Sequence, residues 1–348
     1  MKNIIRRCSL LLLSCSCVAC SGDDKIAPAV ITQPVAHDSD DPAVWFNRAH
    51  PAQSIVLGTD KDEDGAIYAF DMNGKIIEEK TIQGVARPNN VDVGYGLLFN
   101  GQPVDIAVVT ERLTSKIRIF RLPDMVAIDN GGIKVFDGEQ LAAPMGVSMY
   151  KRPSDGTLFV IVSRKQGPSD GRYLWQYRLD TTSQGTIVAS KVREFGLWSG
   201  KKEIEAVAVD NELGYVYYSD EGVGVRKYHA DPDAPDADKE LAFFAREGFG
   251  KDHEGIAISD KGEHGGWIIV SDQENGELHL YPRKGKSPEF PHLHDLMKVV
   301  KISALDTDGI EVVSDLMLPD FPEGLLVAMS DDKTFHYYSL KDIVAETE

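Results

Sequence analysis

The sequence predicts an all-β fold, a six-bladed β-propeller with about four antiparallel strands in each blade. Three observations lead to this prediction. A short apolar strand that ends on polar residues recurs six times, an alternating strand follows each copy, and successive copies lie about fifty residues apart. This period is typical of a propeller blade, which packs beside its neighbours around a central channel.

Two sets of residues define the repeat. A hydroxyl residue lies near the end of each apolar strand, at Thr59, Thr110, Ser163, Ser219, Ser271 and Ser330. A second short strand precedes each of them and opens at Asp41, Asn90, Met145, Glu205, Glu254 and Asp308. Because the innermost strands of a propeller all point the same way, equivalent positions should form a ring at one mouth of the channel.

The N-terminal segment is predicted to lie outside the propeller. Residues 1–19 combine a basic start, a short apolar stretch and Val18-Ala19, which together predict a lipoprotein signal peptide cleaved before a lipidated Cys20. Plain export and an uncleaved anchor are the alternatives, and the apolar run is shorter than the roughly 20 residues that a transmembrane helix needs. Residues 20–36 would form a tether with a possible ring-closing strand, and residues 37–344 the propeller domain.

The positions of the cysteines and the net charge limit how the protein is stabilised and what it can bind. All four cysteines lie at or before position 20, so the propeller carries no disulfide and depends on buried apolar surface. The chain has a net charge of −18, and removing the leader with its three basic residues makes the remainder more negative still. Such an acidic protein is not expected to bind nucleic acid or an anionic membrane face, so membrane contact would come only through the lipid on Cys20.

The charges that fall at equivalent repeat positions indicate a site. The positions just after the apolar strands are Lys61, Arg112, Lys165, Glu221, Gln273 and Asp332. The ring that opens the preceding strands is mostly acidic, with Asp40, Asp252 and Asp306 beside it.

Converging carboxylates repel one another unless a cation neutralises them, and oxygen ligands without His or Cys favour Ca²⁺. In the alternative reading, each acid only accepts a bond from a turn amide. A site in which calcium lies opposite the three cationic side chains would bind a polyanion such as phosphate.

Several strings at these positions resemble the β-propeller phytases, the calcium-dependent alkaline phytases of the 3-phytase type. The resemblance covers about His37 to Val344, in order and with few large gaps. It is carried by His37–Trp45, Gly58–Lys61, Asn89–Asp92, Glu254-Gly255 and Asp306–Ile310. The strings Asp-Asp-Pro-Ala-Val-Trp and Asn-Asn-Val-Asp are specific, whereas the Glu-Gly and Asp-Gly pairs alone would not be.

The resemblance implies roles for individual residues. Lys61, Arg112 and Lys165 would bind the substrate phosphates and, with Glu205, form the catalytic set. Several calcium ions would be held or oriented by Asp40, Asp41, Glu205, Glu221, Asp252, Glu254, Gln273 and Asp308. Two positions depart from the Bacillus-type pattern, since Asp62 replaces a second lysine and Met145 replaces a tyrosine. Either change could weaken phosphate or metal binding.

The resemblance therefore implies a phosphoric monoester hydrolase that acts on phytate, myo-inositol hexakisphosphate, supplied as its calcium complex. Calcium-activated water would attack a phosphate in line and release inorganic phosphate and lower inositol phosphates. The enzyme is expected to be a monomer in the bacterial cell envelope or otherwise secreted. The alternatives are a calcium-dependent lactonase or phosphotriesterase, which would need one central metal and no basic half-ring, and a non-catalytic binding propeller.

Overall fold

The computed structural model describes residues 25–262 and 265–345, so the predicted signal peptide and Cys20 lie outside the described residues. The described chain forms six antiparallel sheets and a single α-helix, α1 (Leu340–Val344). The predicted six-bladed β-propeller is confirmed. Within these residues, no helix combines the length and apolar character needed to cross a bilayer.

The first three blades follow one another along the chain, each running from the channel outwards. Blade 1 contains β2 (Ser39–Trp45), β3 (Ile55–Asp60), β4 (Gly65–Phe70) and β5 (Ile82–Val85). Blade 2 contains β6 (Pro88–Phe99), β7 (Gln102–Glu111), β8 (Lys116–Leu122), β9 (Val126–Ala127) and β10 (Ile133–Lys134). Blade 3 contains β11 (Pro144–Lys151), β12 (Leu158–Arg164), β13 (Leu174–Thr181) and β14 (Ile187–Phe195).

The last three blades complete the ring. Blade 4 contains β15 (Val207–Asp210), β16 (Tyr215–Asp220), β17 (Gly224–His229) and β18 (Ala242–Phe244). Blade 5 contains β19 (His253–Ser259), β20 (Trp267–Asp272), β21 (Glu277–Pro282) and β22 (Lys298–Lys301). Blade 6 contains β23 (Ile310–Val313), β24 (Leu325–Ser330), β25 (Thr334–Ser339) and, as its outer strand, β1 (Val30–Ile31). Short 3₁₀ turns span Pro51–Gln53, Glu78–Lys80 and Arg112–Thr114.

The hydrophobic core is divided into six clusters, and each cluster fills the space between two neighbouring blades. Between blades 2 and 3, for example, Ile117 packs in the same cluster as Trp175. The second strand of each blade contributes to the clusters on both of its faces, which explains why its sequence is almost continuously apolar. Burial between blades therefore holds the ring together without disulfides.

The ring closes through the N-terminal strand and through the innermost strands. Strand β1 pairs with β25, and the hydroxyl of Thr32 accepts a hydrogen bond from the N–H of Phe335 at 2.9 Å. Innermost strands β23 and β2 also lie side by side. A Cβ atom on Gly309 would lie 2.4 Å from a carboxylate oxygen of Asp41, so only glycine permits this close approach between the last and first blades.

Candidate active site

Four of the six innermost strands carry a β-bulge at the residues that the sequence placed in the ring. The bulge in β2 contains Asp40 and Asp41, and the bulge in β19 contains Glu254 and Gly255. Bulges at equivalent places in β6 and β11 contain Asn89-Asn90 and Met145-Gly146. A bulge releases residues from the regular ladder and redirects their side chains, so that here some point towards one mouth of the channel and others, such as Asp41, into the channel itself.

The recurring hydroxyl residues hold these bulges in place. All six are fully buried. The Ser271 hydroxyl accepts a hydrogen bond from the N–H of Gly255 in its own blade at 2.7 Å and donates one to the carbonyl of Thr307 in the next blade at 3.1 Å. Thr110 bonds its own blade and the next one in the same way. In blades 2 to 5 this hydroxyl donates to a backbone carbonyl of the next blade, so there the repeat marker in the sequence is a structural tie between adjacent blades.

Residues far apart in the sequence meet across this mouth. The amide nitrogen of Asn89 in blade 2 donates to Asp40 of blade 1 at 3.1 Å and to Glu205 of blade 4 at 2.8 Å. Lys61 of blade 1 contacts Asp308 of blade 6. Side chains from opposite sides of the ring thus share one compact polar site.

Three glutamates form the acidic centre of the site. One carboxylate oxygen from each of Glu205, Glu221 and Glu254 lies within 4.8 Å of the others. Burial, reinforced by the charge of Glu205, raises the pKa of Glu221 to about 9. Burial and the charges of Glu221 and Glu205 also raise the pKa of Glu254 well above its usual range. So many buried acids without a neutralising cation are electrostatically unfavourable.

Lys61 neutralises part of this charge. Its ammonium group forms an ion pair with Asp40 and lies 3.4 Å from a carboxylate oxygen of Asp308, which also accepts a hydrogen bond from Gln273. Burial lowers the pKa of Lys61, but the attraction of Asp40 and the neighbouring acids outweighs burial and raises it. Burial raises the pKa of Asp308 to about 6 despite this contact. Burial likewise raises the pKa of Asp40.

The other two predicted cations lie closer to the edge of the site. The guanidinium of Arg112 contacts the sulfur of Met145, and its Nε, among the described residues, has no hydrogen-bond partner. Burial lowers the pKa of Arg112, although the charge of Glu205 opposes this effect. The ammonium of Lys165 forms an ion pair with Glu203 at 2.7 Å, and its side chain is 44% exposed. Met145, which stands where the Bacillus-type pattern has a tyrosine, therefore contacts one of the three predicted phosphate-binding side chains.

The side chains of the neighbours Asp40 and Asp41 point to different parts of the site. One oxygen of Asp41 accepts a hydrogen bond from the N–H of Val91 at 3.0 Å, and the residue lines a cavity of about 330 Å³ in the central channel. Asp92 and Glu311 line the same cavity. Burial raises the pKa of Asp41, and the charges of Glu205 and Asp92 add to the rise. Asp41 thus lies on the channel side of the bulge and Asp40 on the mouth side.

The sequence did not identify three residues of the site. Asn89 belongs to the Asn-Asn-Val-Asp string, but only Asn90 had been placed in the ring. Lys202 forms an ion pair with Asp252, and Glu203 pairs with Lys165. Lys202 and Glu203 lie in an irregular segment before β15, where the repeat gives no signal.

The ring position in blade 6 differs from the sequence-based prediction. In blades 1 and 3, the N–H groups of Lys61 and Lys165 donate to the strand-preceding segments of their own blades. In blade 6 it is Asp331 that makes this bond, to the carbonyl of Leu305. The assignment of Asp332 was therefore wrong by one residue, because Asp332 lies within the short turn between β24 and β25 and accepts a bond from Thr334.

The chain is similar to several known proteins. The model of the phytase family matches residues 4–338. The 3-phytase of Bacillus subtilis strain 168 is 28% identical over 320 residues, which cover 88% of this chain and 79% of that protein. The solved WD40 β-propeller domain of Doa1 aligns at 12% identity, with a TM-score of 0.49, over 87% of this chain and 80% of the domain. The family match extends over nearly the whole chain, and so this six-bladed propeller belongs to the phytase family.

Proposed function

We propose that this protein removes phosphate groups from phytate in a calcium-dependent reaction, giving inorganic phosphate and lower inositol phosphates. Membership of the phytase family supports phytate hydrolysis in general. The observation that carries the more specific proposal is the mouth of the channel, where buried carboxylates from several blades converge beside Lys61 and Arg112. Such a site has one acidic part for cations and one basic part for phosphate.

The carboxylates fit calcium by their chemistry and by their unsatisfied atoms. Glu221 Oε1 and Asp252 Oδ1 are buried and, among the described residues, have no hydrogen-bond partner. Hard oxygen donors of this kind suit Ca²⁺, which takes 6–8 oxygen ligands. The residues proposed to hold or orient calcium are Asp40, Asp41, Glu205, Glu221, Asp252, Glu254, Gln273 and Asp308. When bound, calcium would neutralise phosphate charge and activate water for attack on phosphorus.

The cationic side chains would bind and orient the phosphates of the substrate. Lys61 already pairs with Asp40 and Asp308, so it would attract phosphate fully only when calcium neutralises those carboxylates. Arg112 can offer its fork of N–H donors to a phosphate, because its described contact is the weakly accepting sulfur of Met145. Lys165 would add a more exposed charge at the rim. Calcium and phosphate binding should therefore be coupled through Lys61.

Phosphate release from phytate, measured with added calcium and with EDTA, tests this proposal. Lys61→Ala and Glu254→Gln should each lower the rate at least tenfold, since charged hydrogen-bonding groups at such sites contribute about 1.5–3 kcal/mol. Lys75→Ala, a change at an exposed lysine, is the matched control and should retain full activity. Activity that is indifferent to EDTA, or to both substitutions, would refute the assigned site.

We further propose that the protein is exported, anchored by a lipid on Cys20 in the bacterial cell envelope and active as a monomer. The basic, apolar and small-residue pattern of residues 1–19 supports export and cleavage. In the producing cell, Cys20→Ser should move the protein from the membrane fraction to the soluble fraction. Light scattering of the purified protein should give the mass of one chain. An unchanged distribution of the variant would refute the anchor.

A further inference from the structure

Blade 5 contains a second cluster of metal-binding side chains, separate from the three glutamates of the mouth. Its members are Asp272 at the end of β20 and Glu277 and His279 in β21. One ligand atom from each lies within 4.8 Å of the others. The Nε2 atom of His279 is 3.6 Å from a carboxylate oxygen of Glu277 and 3.9 Å from one of Asp272.

The histidine of this cluster is buried and unsatisfied. His279 is 1% exposed, and neither of its ring nitrogens, among the described residues, has a hydrogen-bond partner. Burial lowers the pKa of His279, although the charges of Asp272 and Glu277 oppose this effect. A buried donor or acceptor without a partner is costly, which indicates that this space normally holds another group.

Two other blades show what occupies the equivalent space. Counting from the buried hydroxyl residue, the position of His279 in blade 5 corresponds to Arg226 in blade 4 and Arg118 in blade 2. The Arg226 guanidinium pairs with Asp220 at 3.0 Å, and Asp220 is the equivalent of Asp272. The Arg118 guanidinium lies 3.6 Å from Glu111 at the same place in its blade. Blade 5 keeps the carboxylate but replaces the long guanidinium side chain by a shorter imidazole.

We propose that a first-row divalent transition-metal ion, such as Zn²⁺, binds between His279, Asp272 and Glu277 and takes the place of the missing guanidinium. One imidazole nitrogen with two carboxylates is a donor set that suits zinc and its neighbours better than calcium. Two ligands on a tetrahedral zinc ion with bonds of about 2.0–2.1 Å lie roughly 3.3 Å apart. The observed distances of 3.6 and 3.9 Å therefore need only small side-chain movements.

The surroundings of the cluster support a built site. Asp272 is fully buried, and one of its oxygens accepts hydrogen bonds from the N–H of Gly250 at 2.8 Å and from the amide of Asn275 at 2.9 Å. Phe249 covers the imidazole, with its ring centroid 4.1 Å from that of His279. Fixed carboxylates and an apolar cover are typical of the outer shell of protein metal sites. The partly exposed Glu277 leaves one side open for the ion to enter.

The bound ion would have a structural role close to the active site. Asp272 precedes Gln273, which contacts Asp308 at the mouth, and Gly250 lies two residues before Asp252. An ion at this point would tie the end of β20 to β21 and fix Asp272, which accepts the hydrogen bond from Gly250 in the segment that carries Asp252. It would therefore stabilise the mouth without taking part in the reaction.

Calorimetric titration of the EDTA-treated, full-length protein with Zn²⁺, in an excess of Ca²⁺ that fills the calcium sites, tests this inference. We expect one tight zinc site for each chain, and a parallel titration with Co²⁺ should give the visible absorption of cobalt bound to nitrogen and oxygen. His279→Gln should weaken zinc binding at least tenfold. His336→Gln is the matched control, because His336 is also buried with an unpartnered Nε2 but faces a single carboxylate at 4.0 Å.

A second variant keeps the test decisive if His279→Gln does not fold. His279→Arg would restore the arrangement of blades 2 and 4, so it should abolish zinc binding and give a Tm in EDTA at least equal to that of the wild type. Absence of a zinc site in the wild type would overturn the inference. Zinc binding that is unchanged in either His279 variant would overturn it as well, because the ion would then lie elsewhere.

Discussion

Replacing Glu221 by glutamine should change stability in opposite directions with and without calcium. Burial and the charges of Glu205 and Glu203 raise the pKa of Glu221 to about 9, whereas the unfolded chain releases this proton near 4.5. Between these two pH values the folded protein holds more protons than the unfolded chain. The free energy of unfolding therefore falls as the pH rises through this window, by about 1.4 kcal/mol per pH unit in the absence of metal.

At pH 7 this effect amounts to about 3 kcal/mol, which the glutamine variant should regain because its side chain carries no charge. An unfolding entropy of about 2.1 cal/mol/K per residue converts 1 kcal/mol into about 1.5 °C for a chain of this size, so the Tm in EDTA should rise by about 4 °C. At pH 5 the difference should nearly vanish. With saturating calcium the sign should reverse, because the variant has lost a ligand and gains less stability from binding.

Differential scanning calorimetry at pH 5 and pH 7, in EDTA and in calcium, measures all four values. Glu79→Gln makes the same chemical change at an exposed position and should leave the Tm unchanged in every condition. A Glu221→Gln variant that is less stable than the wild type in EDTA at pH 7 would refute the reasoning. So would an equal loss of stability with and without calcium, since that would indicate a purely structural role.

Three further predictions follow from the fold. Ser271→Ala should lower the free energy of unfolding by about 2–4 kcal/mol in urea denaturation, because it leaves the buried N–H of Gly255 and carbonyl of Thr307 unpaired, whereas Ser154→Ala at an exposed site should have no effect. Gly309→Ala should reduce phytate hydrolysis at least tenfold, since its Cβ would lie 2.4 Å from an Asp41 oxygen; a fully active variant would contradict the close approach. A chain that begins at Pro34 lacks β1, so its Tm should fall by several degrees, and an unchanged Tm would show that the pairing of β1 with β25 contributes little.

The sequence predicted most of the architecture because the relevant signals are local and repeated. The apolar strand with its hydroxyl residue recurs at a fixed period, and that period sets the number of blades. The same register indicated that Lys61, Glu205, Glu254 and Asp308 would share one mouth of the channel, since equivalent positions in a propeller face the same end. The structure brings these side chains together across the ring.

Only the tertiary structure decided how individual side chains are paired. Asp40 and Asp41 are neighbours in the sequence, but the bulge in β2 turns one towards Lys61 and the other towards the channel. The contact of Asn89 with Glu205 joins blades 2 and 4, and the pairing of Lys202 with Asp252 arises from a segment without the repeat pattern. Period and alternation determine which strands form and in what order, whereas bulges and contacts between distant residues determine where each charge points.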